Sequence, residues 1–182
     1  MIETERLILR RWKDSDLDAF AAINQDPKVM ATLGPLRTRD ESKASIERIQ
    51  KSFADNGYGL YATELKSTGE MIGYIGCISL PPDMPIEPRL EIGWRLSSAH
   101  WGRGYAPEGA KAVLRDMFSR PDIDELVSIT AVINTNSISV MKKIGMRTNP
   151  AENFDHPKVA VDNPLRPHVL YRVKKTEFLK QK

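Results

Sequence analysis

What this sequence lacks narrows it first. It holds one cysteine, Cys77, among 182 residues. An internal disulfide is therefore impossible, and a zinc site built mainly of thiolates is excluded. The expected compartment is the reducing cytoplasm. No stretch approaches the roughly 18 consecutive apolar residues of a membrane span. The opening Met1-Ile2-Glu3-Thr4-Glu5-Arg6 has no basic-then-apolar leader pattern, so no membrane partner is expected. Charge of one sign is scarce too: 27 Lys and Arg against 24 Asp and Glu leave +3. That excess is too small to imply a nucleic-acid partner. Its densest run, Lys174 and Lys175 with Lys180 and Lys182, reads as a solvated C-terminus. The three histidines, His100, His156 and His168, show no metal spacing. With no internal repeat, low-complexity block or linker, residues 1–182 read as one domain.

What is present is a mixture of strand and helix patterns. Leu7–Arg10 reads as a first strand, and Asp14 and Ser15 offer an N-cap for a helix bearing Leu17, Phe20, Ala21 and Asn24. That helix should stop near Asp26-Pro27. Thr38-x-x-Glu41 is a capping-box pattern ahead of Ile46, Ile49 and Phe53, and Asn56-Gly57 suits a left-handed stop. Leu60–Leu65 and Met71–Ile78 flank a short turn and predict an antiparallel hairpin. In Leu90–Leu96 the alternation puts Leu90, Ile92, Trp94 and Leu96 on one face, and Glu91, Gly93 and Arg95 on the other. A helix over about Pro107–Phe118, a strand over Leu126–Val132, a short helix over Ser137–Ile144 and a late strand over His168–Val173 complete the order. Two proline-rich stretches, around residues 81–88 and 150–167, predict loops. The whole reads as a mixed α/β chain around one sheet.

The most informative segment is Trp101-Gly102-Arg103-Gly104-Tyr105-Ala106-Pro107-Glu108, between a predicted strand and a predicted helix. Glycines let the backbone turn tightly and expose successive N–H groups, and a helix N-terminus adds free donors and a positive dipole end. That combination suits phosphate oxygens, with Arg103 as a charged donor at the rim. A plain turn is the alternative. The spacing is neither Gly-x-x-x-x-Gly-Lys-Ser/Thr nor Gly-x-Gly-x-x-Gly, so neither a P-loop nor a dinucleotide-binding loop fits.

Four segments in order resemble one family. They are Thr4–Trp12 with Asp16, Glu91–Leu96, Trp101–Ala106 continuing through Pro107-Glu108-Gly109-Ala110, and Asn136-x-x-Ser139 followed by Val140–Met146. Together they resemble the GCN5-related N-acetyltransferase (GNAT) family, in particular its RimJ/RimL-like branch, which acetylates the N-terminal amine of ribosomal proteins. The resemblance implies a central, mostly antiparallel mixed sheet flanked by helices, with one parallel strand pair splayed apart. It implies acetyl-CoA as acetyl donor, held between Leu90–Leu96 and Leu126–Val132. Gly102, Arg103, Gly104, Tyr105 and Ala106 would hold the pyrophosphate. Asn136 would bond the coenzyme arm, and Ser139 would lie near the sulfur. As a residue type Asn136 also fits a helix N-cap with no ligand. The family's loop usually begins with Arg or Gln where this chain has Trp101, and a tyrosine common in relatives is absent from Met141, Lys142 and Lys143. The protonating group is therefore left open.

The implied reaction is direct acetyl transfer to an amine, which needs a base because an amine is mostly protonated at neutral pH. Glu91 is the candidate base, set against a structural pairing with Arg95 on the same strand face. Ser139 is the candidate for donating to, or only orienting, the sulfur. Glu108 is read as stabilising its helix's first turn. Cys77 is read as a small buried hydrophobe and not as an acyl carrier. The acceptor side is expected from residues 35–53 and from the 149–167 connection, which carries Phe154, Asp155, Asp162 and Asn163. Three functions stay open: acetylation of a protein N-terminus, acetylation of a small amine, and a non-catalytic acetyl-CoA-binding regulatory domain. Either a monomer or a homodimer fits.

Overall fold

Apolar residues at strand and helix spacing converge on one nine-stranded sheet, seen in a computed structural model that describes residues 1–180. Gln181 and Lys182, the end of the basic tail, lie outside the described residues. The strands are β1 (Ile2–Glu3), β2 (Leu7–Arg10), β3 (Leu60–Leu65), β4 (Met71–Ser79), β5 (Leu90–Leu96), β6 (Glu125–Ala131), β7 (Arg147–Thr148), β8 (Phe154–Asp155) and β9 (Pro167–Lys174). Their spatial order is β1-β2-β3-β4-β5-β6-β9-β7, with β8 also pairing β9. Every pair is antiparallel except β5–β6. That parallel pair is in register at one position alone, Glu91 opposite Val127, and then diverges. The result is a single mixed α/β domain with a gap in its sheet. The short strands β1, β7 and β8 were not legible, because two residues carry no periodicity.

Helices cover both faces. On one lie α1 (Leu17–Gln25), the single turn α2 (Pro27–Met30) and α3 (Arg39–Asn56). Phe20 of α1 meets Trp12 edge-on at 4.9 Å and Tyr74 of β4 at 5.9 Å. On the other face lies α4 (Tyr105–Phe118), which presents Ala110, Val113, Leu114 and Met117, all buried. Gly109 lets it approach β4: a Cβ there would stand 2.4 Å from the Ile75 side chain. The apolar clusters on the two faces make one continuous core.

The capping box at Thr38 and Glu41 forms as predicted, and Gly57 ends α3 at φ 72°. Three boundaries differ. Asp14 and Ser15 do not cap α1; they enter a 3-10 turn, and Asp16 is instead buried, taking both Arg10 terminal nitrogens at 2.7 and 2.9 Å. Helix α4 begins at Tyr105, two residues before the expected Pro107, because Gly104 at φ 82° turns the chain directly into the helix. Proline is tolerated there, since first-turn N–H groups have no intrahelical partner. Helix α5 (Thr135–Lys143) is capped by Asn134, whose Oδ1 accepts from Ser137 N–H. Asn136 is therefore not the cap. Met84 and Ile86, inside the first proline-rich stretch, pack with Leu80, Val127 and Leu170, so that loop is anchored and not free.

Candidate active site

The divergence of β5 from β6 opens two adjoining cavities, of about 200 and 130 Å3. Leu33, Trp94 and Ser137 line both, so one continues into the other. The larger is walled by Trp101, Gly102, Gly104, Tyr105 and Ala106, and by Asn134, Asn136, Ser139, Val140 and Lys143 of the α5 region. The smaller holds Glu91 and Gly93 with Tyr74, Ile78, Ile129 and Thr130.

The loop of the larger cavity is built for oxygen anions. Gly102 and Gly104 take φ 75° and 82°, left-handed values that cost other L-residues. The N–H groups of Gly102 and Gly104 make no hydrogen bond to another backbone carbonyl among the described residues. Those of Tyr105 and Ala106 are first-turn donors, which helix geometry leaves free. Donors from Gly102, Gly104, Tyr105 and Ala106 at the positive end of a helix thus line a cleft with room beside its first glycine: a Cβ at Gly102 would meet nothing within 4 Å. These residues fit a pyrophosphate.

Distant residues hold that loop. Arg6 donates to the Arg103 carbonyl at 2.9 Å and to Glu108 at 2.6 Å, and its guanidinium lies 4.7 Å from the Tyr105 ring centroid. Glu108 also accepts from Thr4 Oγ1 and Arg6 N–H, contacts that hold its carboxyl below its ordinary pKa against the opposing effect of burial. Glu108 thus clasps β1–β2 to α4, which reaches beyond the first-turn role expected of it. Trp101, at the position where relatives carry Arg or Gln, donates from Nε1 to the Leu96 carbonyl at 2.9 Å and fixes the loop to the end of β5. Ser98 donates to Asp26 at 2.5 Å, tying the same segment to the start of α2. Arg103 is exposed and its side chain is not among the cavity's walls.

Across the gap, Asn136 and Ser139 sit on exposed positions of α5 facing the larger cavity. Asn134 is buried beneath them, its Nδ2 donating to Thr130 Oγ1 at 2.8 Å, so α5 is locked to β6. Glu91 is half-buried at the one position where β5 and β6 still pair. Burial pushes its carboxyl up to about 7, with the Ile129 N–H partly offsetting that. Such a group exchanges a proton near neutrality, as a general base must. The pairing of Glu91 with Arg95 does not occur. Arg95 turns to α1 and donates to Asn24 Oδ1 at 2.5 Å.

Cys77 is buried, and burial pushes its thiol well above its ordinary pKa, so it is no nucleophile. No residue of 35–53 or 149–167 lines either cavity. Leu33, Thr32 and Val29, at and just after α2, do so instead. Within the connection, Phe154 packs on the Leu80 and Leu170 cluster and Asp155 pairs with Arg166 at 3.1 Å. Sequence reasoning missed Trp94 and Ser137 as shared walls, and Lys143. Ser137 lay one residue from Asn136, but nothing in its type set it apart.

A sequence profile described as an acetyltransferase (GNAT) domain matches residues 6–147. The chain is 31% identical to the Bacillus subtilis (strain 168) protein YkkB over 144 residues, covering 79% of this chain and 83% of that one. Two solved structures share the fold at lower identity. A spermidine N-acetyltransferase from Vibrio cholerae, bound to CoA and spermine, gives a TM-score of 0.73 at 17% identity over 96% of this chain and 98% of its own. The ribosomal α-N-protein acetyltransferase RimL, bound to coenzyme A, gives 0.75 at 18% identity over 94% and 95%. At such identities the likeness carries the fold and not the acceptor.

Proposed function

The chain belongs to the GNAT acetyltransferase family, and from that premise we propose that residues 1–182 form one N-acetyltransferase domain that uses Glu91 to activate a primary amine. Acetyl-CoA-dependent acyl transfer follows from family membership. The observation that carries the assignment of roles is the joining of the two cavities: a donor-rich loop lines one, and a carboxyl with a pKa near 7 lines the other.

In this reading, acetyl-CoA supplies the activated acetyl group. N–H groups from Gly102 to Ala106 hold its pyrophosphate, and Asn136 bonds its arm along the β5 edge that β6 has left. That is strand addition to a sheet opening. Glu91 takes a proton from the ammonium of the acceptor, directly or through one water, and leaves the nitrogen lone pair free to attack the acetyl carbonyl. A C–N bond forms, the C–S bond breaks, and the sulfur takes up a proton. Ser139 is placed to donate a hydrogen bond to that sulfur. A hydroxyl is a weak acid, so its share of the rate is small beside that of Glu91.

The first acceptor class is the α-amine of a protein N-terminus, with ribosomal proteins the candidates that the RimL-like segments suggest. The second is a small primary amine, favoured by the modest volume beside Glu91 and the cover that Leu33 gives it. Purified protein incubated with acetyl-CoA and a panel of small amines and short peptides tests both, read as CoA release and one added acetyl mass on the acceptor. Acetylation of peptides at a free α-amine supports the first class, and acetylation of small amines alone the second. Acetyl-CoA binding with no turnover on any acceptor sinks the catalytic reading and leaves a binding domain.

A further inference from the structure

A cation on the wall of this site has no counter-charge. Arg95 lines the larger cavity beside Val29, Thr32 and Leu33. Its only hydrogen bond goes to a neutral group, Asn24 Oδ1, and its Nε is buried with no partner. Among the described residues no carboxylate pairs with it.

Its position is built. Asn24 is fully buried and is oriented by Nδ2 donating to Ser42 Oγ at 2.9 Å, which in turn donates to the Thr38 carbonyl. The Tyr74 ring, directly across the β4–β5 ladder, lies 5.6 Å from the guanidinium carbon. Three elements therefore hold one uncompensated positive charge at the edge of a cleft. A partly desolvated guanidinium with donors to spare binds carboxylate or another oxyanion best.

Its face of the sheet says which ligand it meets. Glu91, Gly93 and Arg95 alternate onto the side covered by α1, and Arg95 stands at the edge of the cavity that the Gly102–Ala106 loop also walls. Between the carboxyl and the guanidinium stands Gly93, where a Cβ would meet nothing within 4 Å. The strand face from Glu91 to Arg95 thus carries no side chain between the two, over roughly 13 Å from Cα to Cα at strand rise.

Resting on the reading above that Glu91 receives the amine, we propose that the acceptor carries an anionic group, a carboxylate in the simplest case, several bonds from its amine, and that Arg95 binds it. An ω-amino acid has this chemistry, and so does a peptide with an acidic residue next to its N-terminus. A polyamine, cationic throughout, does not.

Matched acceptor pairs test this: 6-aminohexanoate against 6-aminohexanamide, and peptides with Glu against Gln at the second position, with spermidine alongside. The carboxylate member is expected to win by roughly tenfold or more in kcat/KM, the usual worth of a charge-assisted bond. The pair that shows the preference identifies the source of the carboxylate. In Arg95→Met that ratio should collapse toward one while acetyl-CoA affinity moves less than twofold, and Arg95→Lys should keep part of it. Calorimetry of 6-acetamidohexanoate with CoA-loaded protein gives a readout that needs no turnover: binding should weaken roughly tenfold in Arg95→Met. Equal rates within each pair, a preference for spermidine, or a loss of acetyl-CoA affinity in Arg95→Met would each overturn the proposal while leaving the acetyltransferase reading intact. Acetyl-CoA binding without turnover of any acceptor would instead sink that reading, and the calorimetric arm would still decide the role of Arg95.

Discussion

The two adjoining cavities are made in opposite ways. The wall around Gly102–Ala106 is mostly backbone, and the side chains that brace the loop are paired: Arg6, Thr4 and Glu108 close on one another, and Trp101 reaches the Leu96 carbonyl. The strand face from Glu91, in the smaller cavity, to Arg95, at the edge of the larger, is side chain, and its polar groups are left short of partners. Glu91 is desolvated without a cation, and Arg95 holds a charge without an anion. Satisfied groups fix a shape, as a ligand common to a family requires. Under-satisfied groups store reactivity or selectivity for a molecule that completes them.

If the division holds, damage to each wall should be separable. The largest effect is expected at Glu91. Glu91→Gln should cut kcat/KM by roughly 10²–10⁴, the usual span for a lost general base, with acetyl-CoA affinity unchanged in a binding titration. A matching loss of affinity would mean that the two walls are not independent. In the intact protein kcat/KM should rise with pH and level off above about 7, where the Glu91 carboxyl is ionised. The Gln variant should lose that inflection.

Second in size is Gly104→Val. A branched side chain at φ 82°, with its Cβ 3.3 Å from the Arg6 guanidinium, should cost about 1–2 kcal/mol locally. The expected result is about a tenfold rise in the acetyl-CoA dissociation constant, with acceptor KM little changed.

A stability test sharpens the contrast further. The carboxyl of Glu91 is raised in the folded state, so between about pH 4.5 and 7 the folded protein binds more protons than the unfolded one. Its stabilising effect is complete below its unfolded pKa and is lost as pH rises through about 7. Glu91→Gln removes that loss. The variant should melt a few degrees higher than the parent at pH 8, worth about 1–3 kcal/mol, and gain less at pH 5. Glu108→Gln, on the satisfied wall, should do the reverse and lower the melting temperature, because Glu108 is held below its ordinary pKa and stabilises in its ionised form. The smallest effect is expected from Ser139→Ala, a fall in kcat of less than tenfold, measured with saturating acceptor.

The same contrast explains which parts were legible. Strands β2 to β6 and the long helices α3 and α4 carry their periodicity within a few residues, and the capping box at Thr38 and Glu41 is a local contact. The loop from Gly102 to Ala106 is local as well, since its geometry rests on neighbouring residues. The helix starts at Tyr105 and Thr135 were misplaced by two residues each, because a left-handed glycine and an asparagine cap act one position before the first apolar signal. Residues 35–53 and 149–167, expected on the acceptor side, line neither cavity, for a different reason. Whether a segment lines a cavity depends on what packs behind it, and Leu33 carries no mark that separates it from any exposed leucine.

By itself the sequence determined the mixed α/β class, the order of most elements, the loop from Gly102 to Ala106 and the family to which they belong. Each of these rests on interactions between near neighbours or on a pattern of consecutive residues. Only the tertiary structure decided that Glu91 sits where β5 and β6 part, that Arg95 leaves Glu91 for Asn24, and that Arg6 and Glu108 clasp the loop across the sheet. Those pairings join residues far apart in the chain. Burial and desolvation, which set the Glu91 carboxyl near 7, exist only once the core has closed around it.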